Sequence, residues 1–386
     1  MVYLEQMKQI YMDFAAATPV DPAVLATMQP FFTEKFYNPS AGYLAARGVS
    51  KDLAAARALV GHYIGARPAE ITFMAGGTEA NNLAISGVMS AFPGSKVVIS
   101  AIEHDSVLQT ASNHKHAEAP VNEQGIIDLK ALEACIDGST VLVSVMYANN
   151  EIGSIQPLRE VAAIVDKIRK ERTRSGNELP LYLHTDAAQA GNYLDIHAAR
   201  LGVDLMTLNG GKIYGPKQSG ILYVRSGVRI RPLIYGGGQE HNLRSGTENV
   251  PGAIGLSKAL QIAQDMKGEE AERLKELQRH FIERLTEQVP EAVINGSLKK
   301  RLPNNIHVTL PGQDNERLLF ALEEHGILAA AGSACSASHE ESSHVLHALG
   351  LSDEAARSSL RFTMGRPTSQ DEIDSTVSAL ARLLAR

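Results

Sequence analysis

The chain has 386 residues, 44% of them hydrophobic and 21% charged, which is too long for one small core and suits a large plus a small domain. A formal net charge of −6, with no Lys/Arg block, argues against nucleic acid or an anionic membrane as the main partner. Two cysteines, Cys135 and Cys335, are too few for a disulfide framework, so a reducing, cytoplasmic setting is expected. Met1 to Phe14 mixes Glu5, Lys8 and Asp13 among apolar residues and reads as no export signal, and no stretch approaches the length of a membrane span.

Apolar runs alternate with segments of helical period between about residues 50 and 260. Expected strands are Glu70–Met74, Lys96–Ser100, Thr140–Ala148, Pro180–Thr185, Val203–Leu208 and Ser219–Arg225, and expected helices include Ser50–Gly65, Asn81–Ser90 and Leu158–Arg172. Runs such as Val141-Leu142-Val143-Ser144-Val145 suit a sheet buried on both faces, hence a mostly parallel α/β layer with helices on either side. A long charged helix is expected over Ile254–Val289, with Glu269-Glu270-Ala271-Glu272-Arg273 as a solvated face. A strand near Asn305–Thr309, a helix near Asn315–His325 and a strand near Ser359–Thr363 complete a smaller α/β domain, with the N-terminal arm beside it. The expected division is 16–260 for the large domain, and 1–15 with 261–386 for the small one.

Ligands of open α/β sheets sit beyond the carboxyl ends of the strands, so the residues after each strand deserve inspection. Gly76-Gly77-Thr78 opens a helix and could cradle a phosphate, or Thr78 could simply cap it. His104 follows the next strand and is, by itself, an ordinary loop histidine. Asn149-Asn150 could close a turn, Asp186 could cap a helix, and Lys217 reads as a solvated surface lysine. Together, however, Thr78, His104, Asn149, Asp186 and Lys212 supply one crevice with an anion cradle, an imidazole, a carboxylate and an amine. Pyridoxal phosphate needs such a set: a Schiff-base lysine, an acidic partner for the ring nitrogen and a phosphate site.

His184-Thr185-Asp186-Ala187-Ala188-Gln189, Lys212-Ile213-Tyr214-Gly215-Pro216-Lys217 and Arg244-Ser245-Gly246-Thr247-Glu248-Asn249 resemble the class V aminotransferase-fold enzymes, which have the type I fold of pyridoxal-phosphate enzymes. Gly332-Ser333-Ala334-Cys335-Ser336, Ser343-His344-Val345-Leu346 and the arginine motif Arg357 to Arg366 narrow the resemblance to the cysteine desulfurases, from Tyr11 to about residue 380. That resemblance implies Lys212 as the Schiff-base lysine, His104 stacked on the ring and moving protons, Asp186 on the ring nitrogen and Gln189 on the ring hydroxyl. It implies Thr78 on the phosphate, with Thr247 reaching over from the second subunit of a homodimer. Asn38, Asn150 (or its neighbour Asn149) and Arg361 would orient L-cysteine, Arg361 by a bidentate grip on the α-carboxylate. Cys335, in a small and polar segment, would take the sulfur as a persulfide, leaving alanine, and pass it to an iron–sulfur scaffold or a tRNA-thiolation enzyme. Cys135, within a helical stretch, reads as an inert small hydrophobe. No metal is expected.

The chain also departs from the pattern. Gly211 stands where the family commonly has a phosphate-binding His, and Asn209 where a Ser is usual, so those two phosphate contacts are expected either to be missing or to be replaced by the Asn209 side chain and the Gly210 and Gly211 N–H groups. Ala41-Gly42-Tyr43 is less polar than usual, and the short stretch after the last helix puts direct docking of an iron–sulfur scaffold in doubt. The rival readings are a class V transaminase, a selenocysteine lyase, and a non-catalytic relative serving as an interaction partner. A transaminase has no use for Cys335, and a non-catalytic relative has no reason to keep Lys212, Asp186, His104 and Cys335 together.

Overall fold

The computed structural model describes residues 9–332 and 342–385. The chain enters as a short strand, β1 (Ile10–Tyr11), and then builds a seven-stranded sheet from β2 (Ile71–Met74), β3 (Lys96–Ser100), β4 (His116–Ala119), β5 (Thr140–Ser144), β6 (Tyr182–Asp186), β7 (Leu205–Asn209) and β8 (Gly220–Val224). Their spatial order is β2-β8-β7-β6-β5-β3-β4, and β8 pairs antiparallel with both neighbours while the other pairs are parallel. The carboxyl ends of the other six strands therefore lie along one edge. This is the mostly parallel sheet expected from the apolar runs.

Both faces are covered, which is why the central strands read as continuous apolar runs. Val98, Val143, Leu183 and Met206 face a core completed by the Leu44–Ile64, Leu158–Ser175 and Val250–Gln288 helices. Val97, Ile99, Leu142 and Leu205 face the opposite core, with Leu83 and Val88 of the Gly77–Ala91 helix and Val107 of the Asp105–Ser112 helix.

A second sheet holds β9 (Val293–Ile294), β10 (Asn305–Thr309) and β12 (Ser359–Thr363), and β11 (Ile327–Leu328) pairs in parallel with β1. The arm joins this part of the molecule, since Thr363 N donates to Met12 O at 2.7 Å. The Val250–Gln288 helix serves both regions: Leu256 and Leu260 pack against the large sheet, and Leu274, Phe281 and Leu285 against Ile306, Leu360 and Phe362. Among the described residues no helix is long and apolar enough to cross a membrane.

Several expectations need correction. The strand expected over Thr140–Ala148 stops at Ser144, just before Met146, whose N–H goes to Oε1 of Glu103 at 2.6 Å. Three helices begin earlier than expected, at Leu44, Gly77 and Val250. β4, His-Ala-Glu-Ala, escaped notice because an edge strand open to solvent carries no apolar run. The Glu269–Arg273 stretch is not wholly solvated. Glu270 is buried, and it pairs with Arg273, which also donates to the carbonyls of Gly365 and Thr368 at 2.9 Å each. Cys135 ends the Leu129–Cys135 helix, half-buried against the large core.

Candidate active site

Lys212 follows β7 in a tight turn, Gly210–Lys212, that Asn209 closes by accepting the Gly211 N–H on Oδ1 at 3.0 Å. Gly210 N donates to Ser219 O at 2.9 Å. Both glycine N–H groups thus already have acceptors, one in the turn and one at Ser219, against the expectation that they bind phosphate. The Nδ2 amide of Asn209 lies beside the start of the Gly77–Ala91 helix, where a Cβ added to Gly77 would stand 3.4 Å from it. That helix has Gly76 as its N-cap, at φ 150°, with no side-chain cap, so Thr78 does not act as the cap and the first-turn N–H groups remain available. The side chain of Lys217 passes over Gly211, and its ammonium donates to Thr18 O, so Lys217 is a turn anchor as well as a surface lysine.

The Lys212 ammonium donates to the carbonyls of Ala15 (2.8 Å) and Ala16 (2.7 Å). Gln189 Nε2 donates to the same Ala15 carbonyl at 3.1 Å, which places it next to Lys212.

Asp186 ends β6, the strand adjacent to β7, and is buried. Its Oδ1 accepts the Ala188 N–H at 2.9 Å and its Oδ2 accepts Asn81 Nδ2 at 2.7 Å. Asn81 Nδ2 also donates to Ser106 Oγ at 2.8 Å, and Ser106 Oγ lies 2.9 Å from His104 Nδ1. The Ser106 backbone N–H donates to the same Nδ1 at 3.0 Å. A ring nitrogen that accepts from an amide carries no proton, so neutral His104 holds its hydrogen on Nε2. Asn81 was not picked out from the sequence. Its signal was an amide on the apolar face of a helix, among the buried Ala80, Leu83 and Ala84.

Two buried groups support this floor. His184 sits between Ser144 Oγ (2.8 Å) and Thr207 Oγ1 (3.1 Å), and burial lowers its pKa to about 4. Burial, reinforced by the Asp186 charge, pushes the Glu103 carboxyl well above the usual range.

Arg361 lies in β12, 1% exposed. Its Nη1 donates to Asn150 O at 3.0 Å and its Nη2 to Asp13 Oδ1 at 2.7 Å. Of the two asparagines, Asn149 is fully committed to the turn: Oδ1 accepts from Glu151 N and Ile152 N, and Nδ2 donates to Ile102 O. Among the described residues the Asn150 side chain makes no hydrogen bond. Asn38 is exposed and accepts the Ser40 N–H in a local turn. Thr78 and Thr247 are also exposed, and neither hydroxyl bonds to the groups above among the described residues. The Arg244 motif reaches the helix start through Arg244 Nε, which donates to Glu79 Oε1 at 3.0 Å. Cys335 lies outside the described residues. Its flanks do not: Ala330 bridges Arg361 in backbone pairing, and Ser343 Oγ donates to Glu151 Oε2 at 2.6 Å.

The structure thus joins Lys212 with Gln189, Asp186 with His104, and Arg361 with Asn150. An amine, a carboxylate, an imidazole and an uncapped helix start share one sheet edge, and this set fits a phosphorylated aldehyde cofactor.

The family model for Aminotransferase class-V matches residues 10–376. Cysteine desulfurase IscS of Dictyoglomus turgidum is 38% identical over 386 residues, covering 98% of this chain and 95% of that one. Cysteine desulfurase IscS of Methanosarcina thermophila is also 38% identical, covering 98% and 93%. Among solved structures, a NifS-like protein superposes with a TM-score of 0.90 at 32% identity, covering 98% of this chain and all of that one. SspA, solved in complex with cysteine, superposes with a TM-score of 0.80 at 31% identity, covering 92% and 99%. The chain belongs to the class V aminotransferase family and, within it, to the cysteine desulfurases.

Proposed function

We propose that this chain is a pyridoxal-phosphate-dependent cysteine desulfurase that moves sulfur from L-cysteine to Cys335. The observation that carries the reading is the placement of Lys212 and Asp186 at the carboxyl ends of two adjacent strands, each oriented by hydrogen bonds. Pyridoxal phosphate, when bound, supplies an electron sink that weakens the Cα–H and Cβ–S bonds of the substrate.

The chain's own groups would do the rest. Lys212 would hold the cofactor and, once released, carry the Cα proton. Asp186, oriented by Asn81, would keep a negative charge against the ring nitrogen, and Gln189 would donate to the ring hydroxyl. His104 would stack on the ring and present Nε2 for proton movement. The first turn of the Gly77–Ala91 helix, Thr78 and Asn209 Nδ2 would receive the phosphate. Arg361 would hold the α-carboxylate, with Asn150 and Asn38 beside the substrate. The Cys335 thiolate would attack the substrate sulfur, forming an S–S bond as the C–S bond breaks. The products are a persulfide on Cys335 and alanine.

Further parts of the proposal concern assembly and setting. We place the enzyme in the cytoplasm as a homodimer in which Thr247 completes the partner's phosphate site. Its sulfur would go to an acceptor protein, either an iron–sulfur scaffold or a tRNA-thiolation enzyme. A division into 16–260, and 1–15 with 261–386, is supported by the change of apolar neighbours along the long helix between Ala263 and Leu274. The direct test is mass spectrometry of Cys335 after incubation with cofactor and cysteine. One added sulfur, with an equal amount of alanine, is expected, and alanine without modified Cys335 would overturn the relay.

A further inference from the structure

Arg361 is an unusual buried cation. Its side chain is 2% exposed, and the guanidinium is anchored on two sides, by the Asn150 carbonyl at Nη1 and the Asp13 carboxylate at Nη2. Its Nε, also buried, donates to nothing among the described residues. A buried donor left open is costly, and native proteins tolerate it mainly where something else fills it. The neighbouring strand offers no acceptor charge: His307, opposite Arg361 in the register, is held neutral by burial and by the charges of Arg301 and Arg361. Asp13 is the one carboxylate bonded to Arg361 among the described residues.

The segment that carries Asp13 also reaches Lys212. Two residues on, Ala15 N donates to Thr363 Oγ1 at 2.9 Å, and the Ala15 and Ala16 carbonyls receive the Lys212 ammonium. Tyr11 clamps the turn from the other side by donating to the carbonyls of Asp13 (2.9 Å) and Ala17 (3.0 Å). One short stretch of backbone therefore spans the distance between the guanidinium and the ε-amine. In an α-amino acid the carboxylate and the amine share one carbon, so a substrate held at the first brings the second to a fixed place.

Resting on the reading of Arg361 as the carboxylate grip, we propose that Asp13 is a positioning residue for substrate selection. It fixes the guanidinium plane so that the open Nε meets the α-carboxylate while the α-amine lies toward Lys212. A planar guanidinium pinned at both terminal nitrogens cannot rotate, so the third donor has a fixed direction.

The test uses the full-length holoenzyme and two probes, L-alanine and L-alaninamide, which differ in the carboxylate. Each is titrated against the visible absorbance of the bound cofactor, alongside steady-state kinetics with L-cysteine. Asp13→Asn keeps the size and the Oδ1 acceptor but removes the charge. It is expected to raise the KM for L-cysteine and the Kd for L-alanine by about tenfold, with kcat and L-alaninamide binding changed less than about twofold. Asp13→Glu should recover part of that loss. Arg361→Gln should weaken L-alanine binding at least as much. If Arg361→Gln leaves L-alanine binding unchanged, the carboxylate reading itself fails. If Arg361→Gln weakens it and Asp13→Asn does not, the role of Asp13 alone is overturned. If Asp13→Asn lowers kcat, cofactor content and both probes together, Asp13 is merely structural and the proposal is again overturned.

Discussion

The side-chain amide of Asn81 donates to Oδ2 of Asp186 across 2.7 Å, joining the start of the Gly77–Ala91 helix to the end of β6. The same nitrogen donates to Ser106 Oγ, which touches His104. A single buried amide therefore sets the orientation of the carboxylate below the crevice and of the imidazole beside it.

Replacing Asn81 by Ala removes a hydrogen bond to a charged acceptor, a loss of about 1.5–3 kcal/mol. Cofactor affinity should fall by roughly 10- to 100-fold, read by absorbance titration of the apoenzyme. Asn81→Asp, which sets a second carboxylate beside Asp186, should weaken binding at least as much. Unchanged affinity in both variants would show that Asp186 needs no such guide.

The Asn209–Gly211 turn makes a separate prediction about phosphate. Asn209→Ala should weaken pyridoxal phosphate binding by about tenfold and leave pyridoxal, which lacks the phosphate, little changed. Gly211→His should be accommodated, because a Cβ there meets Asn209 Oδ1 at 3.5 Å and Lys217 Cγ at 3.7 Å, ordinary contacts. That variant is expected to bind the phosphorylated form more tightly than the parent. Equal effects on both ligands would remove Asn209 from the phosphate site.

The two reactive side chains should separate cleanly. Lys212→Ala should lose the visible absorbance of lysine-bound cofactor along with all desulfuration. Cys335→Ala should keep that absorbance and lose persulfide formation. Unchanged cysteine-dependent sulfide release from Cys335→Ala would rule out the sulfur relay.

Buried titratable groups give the fold a pH signature. Burial lowers His184 to about 4 and His307 to about 3 from an ordinary 6.5, so the unfolded chain binds protons first as pH falls. Each then removes stability at up to about 1.4 kcal/mol per pH unit below pH 6.5, and that stability is fully present above it. Glu103 has the opposite sign: its folded carboxyl is raised above 4.5, so it favours the fold at low pH and loses that advantage as pH rises. Above pH 4.5 and up to 6.5 its contribution therefore runs against that of the histidines. In urea denaturation across this range, His307→Gln should flatten the slope and Glu103→Gln should steepen it. An unchanged slope in both variants would mean these groups titrate alike in the folded and unfolded states.

Much of the large sheet was legible because parallel strands buried on both faces must be apolar throughout, as β3 and β5 are. The edge strand β4 and the helix starts at Leu44 and Gly77 were not, since solvent-facing or small residues leave no periodic signal there. Lys212, Asp186 and His104 stood out as a set following successive strands, and Arg361 through the resemblance of its motif. Asn81 and Asp13 did not, because an Asn early in a helix and an Asp near the N-terminus are commonplace until their partners are known.

The sequence by itself determined the layered α/β class and the family, and it supplied the candidate site residues, because those follow from local pattern and from residue type at fixed spacing. Only the tertiary structure decided who orients whom: that Asn149 belongs to its turn while Asn150 O holds Arg361, that the Gly210 and Gly211 N–H groups are already taken, and that Asp13 meets a guanidinium far along the chain. Hydrogen-bond partnership depends on distance and direction in space. Side chains from remote segments acquire those only when the sheets pack.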